Sequence, residues 1–171
     1  MHVDADQIAE SVRTEPEIVT ALVREFGPQI RKEDGQIDPK ALAAVVFADA
    51  EARQKLEAIT HPPIRQAILA AVENAQKQGR SVLLDAPLML ETGLIEACQT
   101  VVFVDASDAE RQRRAEQRGW TAAEWRRRED AQAPLEKKRK RAHFTIDNDG
   151  TMAATEAQID DLLRRLQAPT R

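Results

Sequence analysis

Two short apolar runs, each closing on an aspartate, constrain this chain most: Ser81-Val82-Leu83-Leu84-Asp85 and Thr100-Val101-Val102-Phe103-Val104-Asp105. Apolarity without polar alternation, with β-branched residues among it, fits strands buried on both faces, as parallel strands are when helices cover the sheet. Phe144-Thr145-Ile146-Asp147 reads as a weaker third strand. Helical segments fill the intervals, so the expected class is α/β with a mostly parallel sheet. Ligands in such folds sit at the carboxyl ends of the strands.

The helix signals are local. Asp4 to Phe26 reads as two short helices broken near Glu15-Pro16, with Ile8, Val12, Ile18, Leu22 and Phe26 on the apolar side and Gly27-Pro28 as the stop. Asp34-Gly35 makes a turn. Asp38 followed by Pro39 is an N-cap with proline at the first helical position, opening a helix through Phe47, and Asp49 caps the next. That helix, running to Gln78 with Leu56, Ile59, Ile64, Ile68 and Val72 inward, is expected to break at His61-Pro62-Pro63, because proline lacks the donor and clashes with the preceding turn. Asn148-Asp149-Gly150 turns into a last amphipathic helix carrying Ile159, Leu162, Leu163 and Leu166.

At 171 residues, with 42% hydrophobic and 32% charged residues, the chain is expected to fold as one domain and is far from a disordered composition. Its longest apolar run, Ala41 to Ala48, is less than half of the ~20 residues a membrane helix needs. One cysteine, Cys98, cannot form an internal disulfide and reads as a small buried hydrophobe, and the acidic start lacks a signal-peptide pattern, so a cytoplasmic location is expected. Oligomeric state leaves no mark in these residues. Three histidines without a cluster at ligand spacing argue against zinc.

The net charge of −4 conceals an asymmetry, since Arg111 to Arg141 carries twelve Lys/Arg against five Asp/Glu, +7 against −11 for the remainder. Two readings stand: a docking face for a polyanion, or a solvated helical face with intrachain ion pairs. Arg114 and Arg118, four apart, would share a helical face suited to phosphate oxygens, with Arg128 and Lys138 joining them. The run Lys137 to Arg141 has no interleaved aromatics, which disfavours nucleic acid.

Acids gather at the strand ends. Asp85, followed by Ala86-Pro87 rather than a helix start, is a candidate to hold Mg²⁺ or take a proton, whereas Asp105, just ahead of a helix, is expected to cap it. Asp4 and Asp6 open the chain as a second acidic pair.

In order and spacing, VDADQIA from Val3, FGPQI from Phe26, DGQIDPKALAAVVFAD from Asp34, HPPIR from His61, LLDAPLMLETGL from Leu83, QAPLEKK from Gln132 and TIDNDG from Thr145 resemble dephospho-coenzyme A kinase, from Val3 to about Leu166. The resemblance implies a three-layer α/β/α nucleotide-kinase-like fold with a helical CoA-binding region at 10–79, core segments at 80–106 and 142–171, and a basic lid at 107–141. It implies transfer of the γ-phosphoryl group of ATP, with Mg²⁺, to the ribose 3′-hydroxyl of dephospho-CoA. Asp6 then matches the general base, with Asp4 its more structural partner. His61 and Arg65 match the acceptor-site HPxxR element, and Pro87, Leu88, Leu90 and Glu91 the loop that contacts the acceptor. Arg114, Arg118 and Lys138 match nucleotide-binding lid residues, with Gln132 in the same lid pattern.

The family opens with an apolar strand and a GxTGGxGSGKS loop about twenty residues ahead of the DAD element, where this sequence has three residues before Asp4. Its six glycines fall outside any GxxxxGK(S/T) pattern. The first strand and phosphate loop are therefore expected to be missing through truncation or a mis-assigned start, leaving a chain inactive as written. The other reading is a non-catalytic CoA-binding remnant or scaffold. Leu135 stands where many members carry a phosphate-facing arginine, and Trp120 and Trp125 read as lid packing residues.

Overall fold

A computed structural model describes residues 1–47 and 49–167. Ala48, which ends the apolar run from Ala41, and residues 168–171, which end the expected core segment 142–171, lie outside the described residues. The contacts divide the chain into two compact units, Met1–Thr92 and Gly93–Arg171.

In the first unit, strand β1 (His2–Asp4) leads into helices α1 (Ala5–Arg13) and α2 (Pro16–Phe26), a 3₁₀ turn (Pro28–Ile30), α3 (Pro39–Phe47), the long α4 (Ala50–Lys77) and strand β2 (Leu83–Asp85). β1 and β2 pair in parallel, His2 opposite Leu83, Val3 opposite Leu84 and Asp4 opposite Asp85. Local chemistry explains most of the boundaries. Pro16 starts α2 where its missing N–H costs nothing, and Gly27 at φ 89° stops it. Asp38 Oδ1 accepts from the Lys40 and Ala41 amides at 2.8 and 3.3 Å, and Asp49 Oδ1 from the Glu51 amide at 2.9 Å.

The core of this unit is a cluster of Leu22, Phe26, Ile30, Leu42, Val46 and Ala52, with Leu56 and Ile59 packed against it. On α4, Ile68 and Val72 are buried as expected, and Leu56, Ile59 and Ile64 are half-buried.

Two expectations fail in this unit. β1 is a strand that the helical reading from Asp4 onward left out. α4 runs unbroken through Pro62 and Pro63. Each proline deprives one carbonyl, Ala58 or Ile59, of its usual donor, but α4 packs on α1, α2 and α3. Residues on either side of the prolines are buried, Ala52 and Thr60 before them and Ile68, Val72 and Ala75 after, so packing holds the helix on one course.

The second unit holds a 3₁₀ turn (Leu94–Ala97), strand β3 (Val102–Asp105), helices α5 (Asp108–Gln117), α6 (Ala122–Asp130) and α7 (Leu135–Arg141), strand β4 (Phe144–Asp147) and helix α8 (Met152–Gln167). β3 and β4 pair in parallel from Val102–Phe144 to Asp105–Asp147. Strand direction is thus as expected, but burial on both faces is not: Leu83 in β2 is 68% exposed and Val104 in β3 58%. Each strand has one hydrogen-bonded neighbour among the described residues, in sheets of two. Ser81, Val82, Thr100 and Val101 fall outside the strands. On α8, Leu162 is buried, whereas Ile159, Leu163 and Leu166 are exposed. Among the described residues no helix is long and apolar enough to cross a membrane.

Candidate functional site

Both parallel pairs finish with two aspartates in register, Asp4 beside Asp85 and Asp105 beside Asp147. Asp4 closes β1 and caps α1: its Oδ1 accepts from the Asp6 amide at 2.9 Å and the Gln7 amide at 3.1 Å. Asp6 follows in the first turn of α1, exposed, its backbone fixed by that cap. Asp85 is exposed at the end of β2.

The first unit also carries an open groove of about 710 Å³ along α4. His61, Arg65, Leu69 and Glu73 line it at four-residue intervals, which places them on one ridge of the helix. Pro62 and Ala70 line it from the adjoining ridge, and Glu91 and Thr92 from the segment after β2. His61 is half-buried within the helix, neither an N-cap nor a core imidazole. At the far end a hydrogen bond from Lys77, at 2.8 Å, holds the Glu73 carboxyl below its ordinary range.

In the second unit the basic helices are laced internally. Glu110 takes Arg113 at 2.6 Å and Arg114 at 2.7 Å. The Arg113 hydrogen bond foremost, with the Arg114 bond adding to it against partial desolvation, lowers the Glu110 carboxyl to about 2. Arg114 also donates to the Asn148 carbonyl at 2.6 Å, fastening α5 to the turn after β4. Arg111 joins α5 to α6 through Glu129 at 3.0 Å, and Arg128 stacks over Trp120 at 4.2 Å while Trp125 is buried. Lys138 Nζ donates to Gln132 Oε1 at 2.6 Å. Asp105 does not cap α5 as expected. Ser107 does, through the Glu110 amide at 3.3 Å, and Asp105 instead pairs with Arg139 at 2.6 Å. A cap must sit at the residue where the backbone turns helical, and that residue is Ser107.

A carboxyl depressed to about 2 adds to stability only while ionised. Its contribution is complete above the ordinary value near 4.5 and fades as pH falls from there through about 2. In acid titrations followed by tryptophan emission, Glu110→Gln is expected to be less stable than the unsubstituted chain at pH 6 and to lose that difference as the pH approaches 2.

A model of the dephospho-CoA kinase family matches residues 1–154. The chain belongs to the dephospho-CoA kinase family. The Geobacillus kaustophilus dephospho-CoA kinase is 40% identical over 170 residues, covering 97% of this chain and 84% of the relative, and that of Chlorobaculum tepidum is 34% identical over 169 residues, covering 95% and 81%. Among solved structures, dephospho-CoA kinase from Campylobacter jejuni superposes with a TM-score of 0.72 at 26% identity, covering 96% of this chain and 84% of that one. A Thermus thermophilus crystal structure gives 0.78 at 33%, covering 98% and 85%. The parallel strands and helix-rich body are those of the nucleotide-kinase-like dephospho-CoA kinase fold.

Of the residues that the dephospho-CoA kinase motifs pointed to, the structure brings His61, Arg65 and Glu91 into one groove and puts Asp4 and Asp85 side by side. Asp6 follows Asp4, while Pro87, Leu88 and Leu90 belong to the segment after β2 without lining the groove. Arg114 lies within α5 and is engaged by Glu110 and Asn148, and Arg118 is the exposed cap residue after it, so the two guanidinium groups have different surroundings. The sequence reading passed over Leu69, Glu73 and Thr92 in the groove. It also missed Arg139 and Asp147, which with Asp105 line a second cavity of about 350 Å³. For Leu69 and Glu73 the available signal was the four-residue interval that continues from His61 and Arg65.

Proposed function

We propose that this chain carries the acceptor side of an ATP-dependent dephospho-CoA kinase, the phosphotransferase that makes coenzyme A by phosphorylating the ribose 3′-hydroxyl of dephospho-CoA. The observation carrying this reading is the α4 groove, which brings Glu91 from the segment after β2 to His61 and Arg65 on α4. Arg65 supplies a delocalised cation with several donors for the diphosphate, and His61 lies one turn away. The helical region 10–79 is read as CoA-binding and 107–141 as the lid.

Asp6 is the general base in this reading. Its carboxylate accepts the 3′-hydroxyl proton and aims that oxygen at the γ-phosphorus, and Asp4 positions it through the α1 cap. Arg114, Arg118 and Lys138 neutralise nucleotide phosphates. For Arg114 this requires exchanging the Glu110 contact for phosphate.

Magnesium needs one or two carboxylates besides substrate phosphates and keeps several waters. Exposed Asp85 fits that role, whereas Asp4 is committed to backbone amides, and no group of three ligating side chains forms among the described residues. When bound, the ion supplies charge neutralisation at the phosphates, with Asp85 as its protein ligand.

These 171 residues contain no GxxxxGK(S/T) sequence. A cradle of backbone N–H groups and a lysine at the β and γ oxygens supply much of the electrostatic catalysis of phosphoryl transfer. The chain by itself is therefore expected to phosphorylate dephospho-CoA about a thousandfold or more slowly than the Geobacillus relative, by analogy with the loss of a preorganised donor set. Labelled-phosphate transfer, with the product resolved by chromatography, measures this. Turnover equal to the relative's overturns the expected slowness. Phosphorylation of AMP or shikimate in preference to dephospho-CoA overturns the acceptor assignment.

A further inference from the structure

We propose that the uncharged, amide-bearing arm of dephospho-CoA lies along α4 over Gln66, Leu69 and Ala70, so that these residues distinguish dephospho-CoA from shorter adenosine diphosphates. This rests on the acceptor reading above and extends it to residues that lie outside the HPxxR element.

The groove does not end at His61 and Arg65. From His61 to Glu73 it spans about 18 Å at 1.5 Å per residue, of which about 12 Å, roughly two helical turns, lie beyond Arg65. Extended chain covers roughly 3.3–3.6 Å per residue, so this length suits an arm holding two amides in series. The chemistry changes along it. His61 and Arg65 stand at one end, and the other is closed by the Glu73–Lys77 ion pair, whose charges offset each other at 2.8 Å. Between them, on two neighbouring ridges, the wall offers no charge: Gln66 gives a side-chain amide, and Leu69 and Ala70 give apolar surface.

A ligand matched to this succession has phosphates at one end and a neutral tail that combines amides with methyl and methylene groups. Dephospho-CoA has that order of groups. ADP shares its adenosine and diphosphate and has no tail. Phosphates at Arg65 direct the tail toward Leu69, since a neutral tail gains apolar contact there while Gln66 can answer one of its amides.

Calorimetric titration with dephospho-CoA and with ADP tests the assignment. Leu69→Gln, which keeps a side chain of similar length and good helix propensity, is expected to weaken dephospho-CoA about tenfold and leave ADP within twofold. Ala70→Phe, which fills the exposed wall, is expected to act the same way, and equal helical melting curves establish that both variants fold. Arg65→Ala is expected to weaken both ligands. If Arg65→Ala weakens dephospho-CoA while Leu69→Gln and Ala70→Phe leave it unchanged, the arm assignment is overturned and the acceptor groove stands. If the unsubstituted chain binds ADP as tightly as dephospho-CoA, the arm makes no contact and the assignment is likewise overturned. If Arg65→Ala changes neither ligand, the acceptor reading falls and the arm assignment with it.

Discussion

Arg65→Ala is expected to weaken dephospho-CoA binding by roughly ten- to a hundredfold. A charge-assisted hydrogen bond contributes about 1.5–3 kcal/mol, and 1.4 kcal/mol is a factor of ten in affinity. Arg65 is the one arginine that lines the α4 groove among the described residues, so nothing there replaces its donors. It is also exposed and mid-helix, where alanine is a better helix former, so the fold should survive. Arg65→Lys separates charge from geometry: a lysine keeps the charge but lacks the planar fork, and it should restore only part of the affinity. An affinity equal to that of the unsubstituted chain would detach the groove from the diphosphate.

The second large effect falls on stability. Leu22 is fully buried, packed among Phe26, Ile30, Leu42 and Val46 where α2, α3 and α4 meet. Truncating such a leucine removes its transfer free energy and leaves a cavity, for a loss of about 2–5 kcal/mol. In a chain of this size that lowers the melting temperature by roughly 10 °C. The same substitution loosens the seat of α4, so dephospho-CoA affinity should fall with it. Thermal unfolding by circular dichroism reads the first effect. A shift under 2 °C would show that the three helices are not held by this cluster.

Legibility in the sequence followed the range of the forces involved. Caps and stops act within four residues, and Asp38-Pro39, Asp49 and Gly27 marked element ends that the structure keeps. β4 has the bounds Phe144–Asp147 expected of it. β1 was hidden because three residues are too few to show a period, and only pairing with β2 makes His2–Asp4 a strand. The break at His61-Pro62-Pro63 was a sound local argument overridden by packing on α1, α2 and α3, which the sequence does not display.

The site divides in the same way. Motif matches pointed to His61, Arg65 and Glu91, and the groove unites them. Leu69 and Glu73 share a helical row with His61 and Arg65 but read as ordinary surface, since a half-buried leucine between charged residues is common on any helix. Asp105 illustrates the opposite error. Its place ahead of α5 suggested a cap, but its partner, Arg139, lies 34 residues away, and Ser107 holds the capping position. The +7 segment proved to be extensively paired within the chain, through Glu110, Glu129 and Asp105 among others, which is what the solvated-face reading anticipated. Phosphate binding by Arg114 then has to compete with a carboxylate already in place.

The most direct measurement is a calorimetric titration of the 171-residue chain with dephospho-CoA in the absence of ATP, its helical content verified beforehand by circular dichroism. Saturable binding of one dephospho-CoA per chain is the predicted result, because the groove lies within one compact unit and needs no nucleotide to form. A folded chain that gives no binding heat at any temperature tried, and that fails to compete for dephospho-CoA with an intact family member, would contradict the assignment of the α4 groove as the acceptor site.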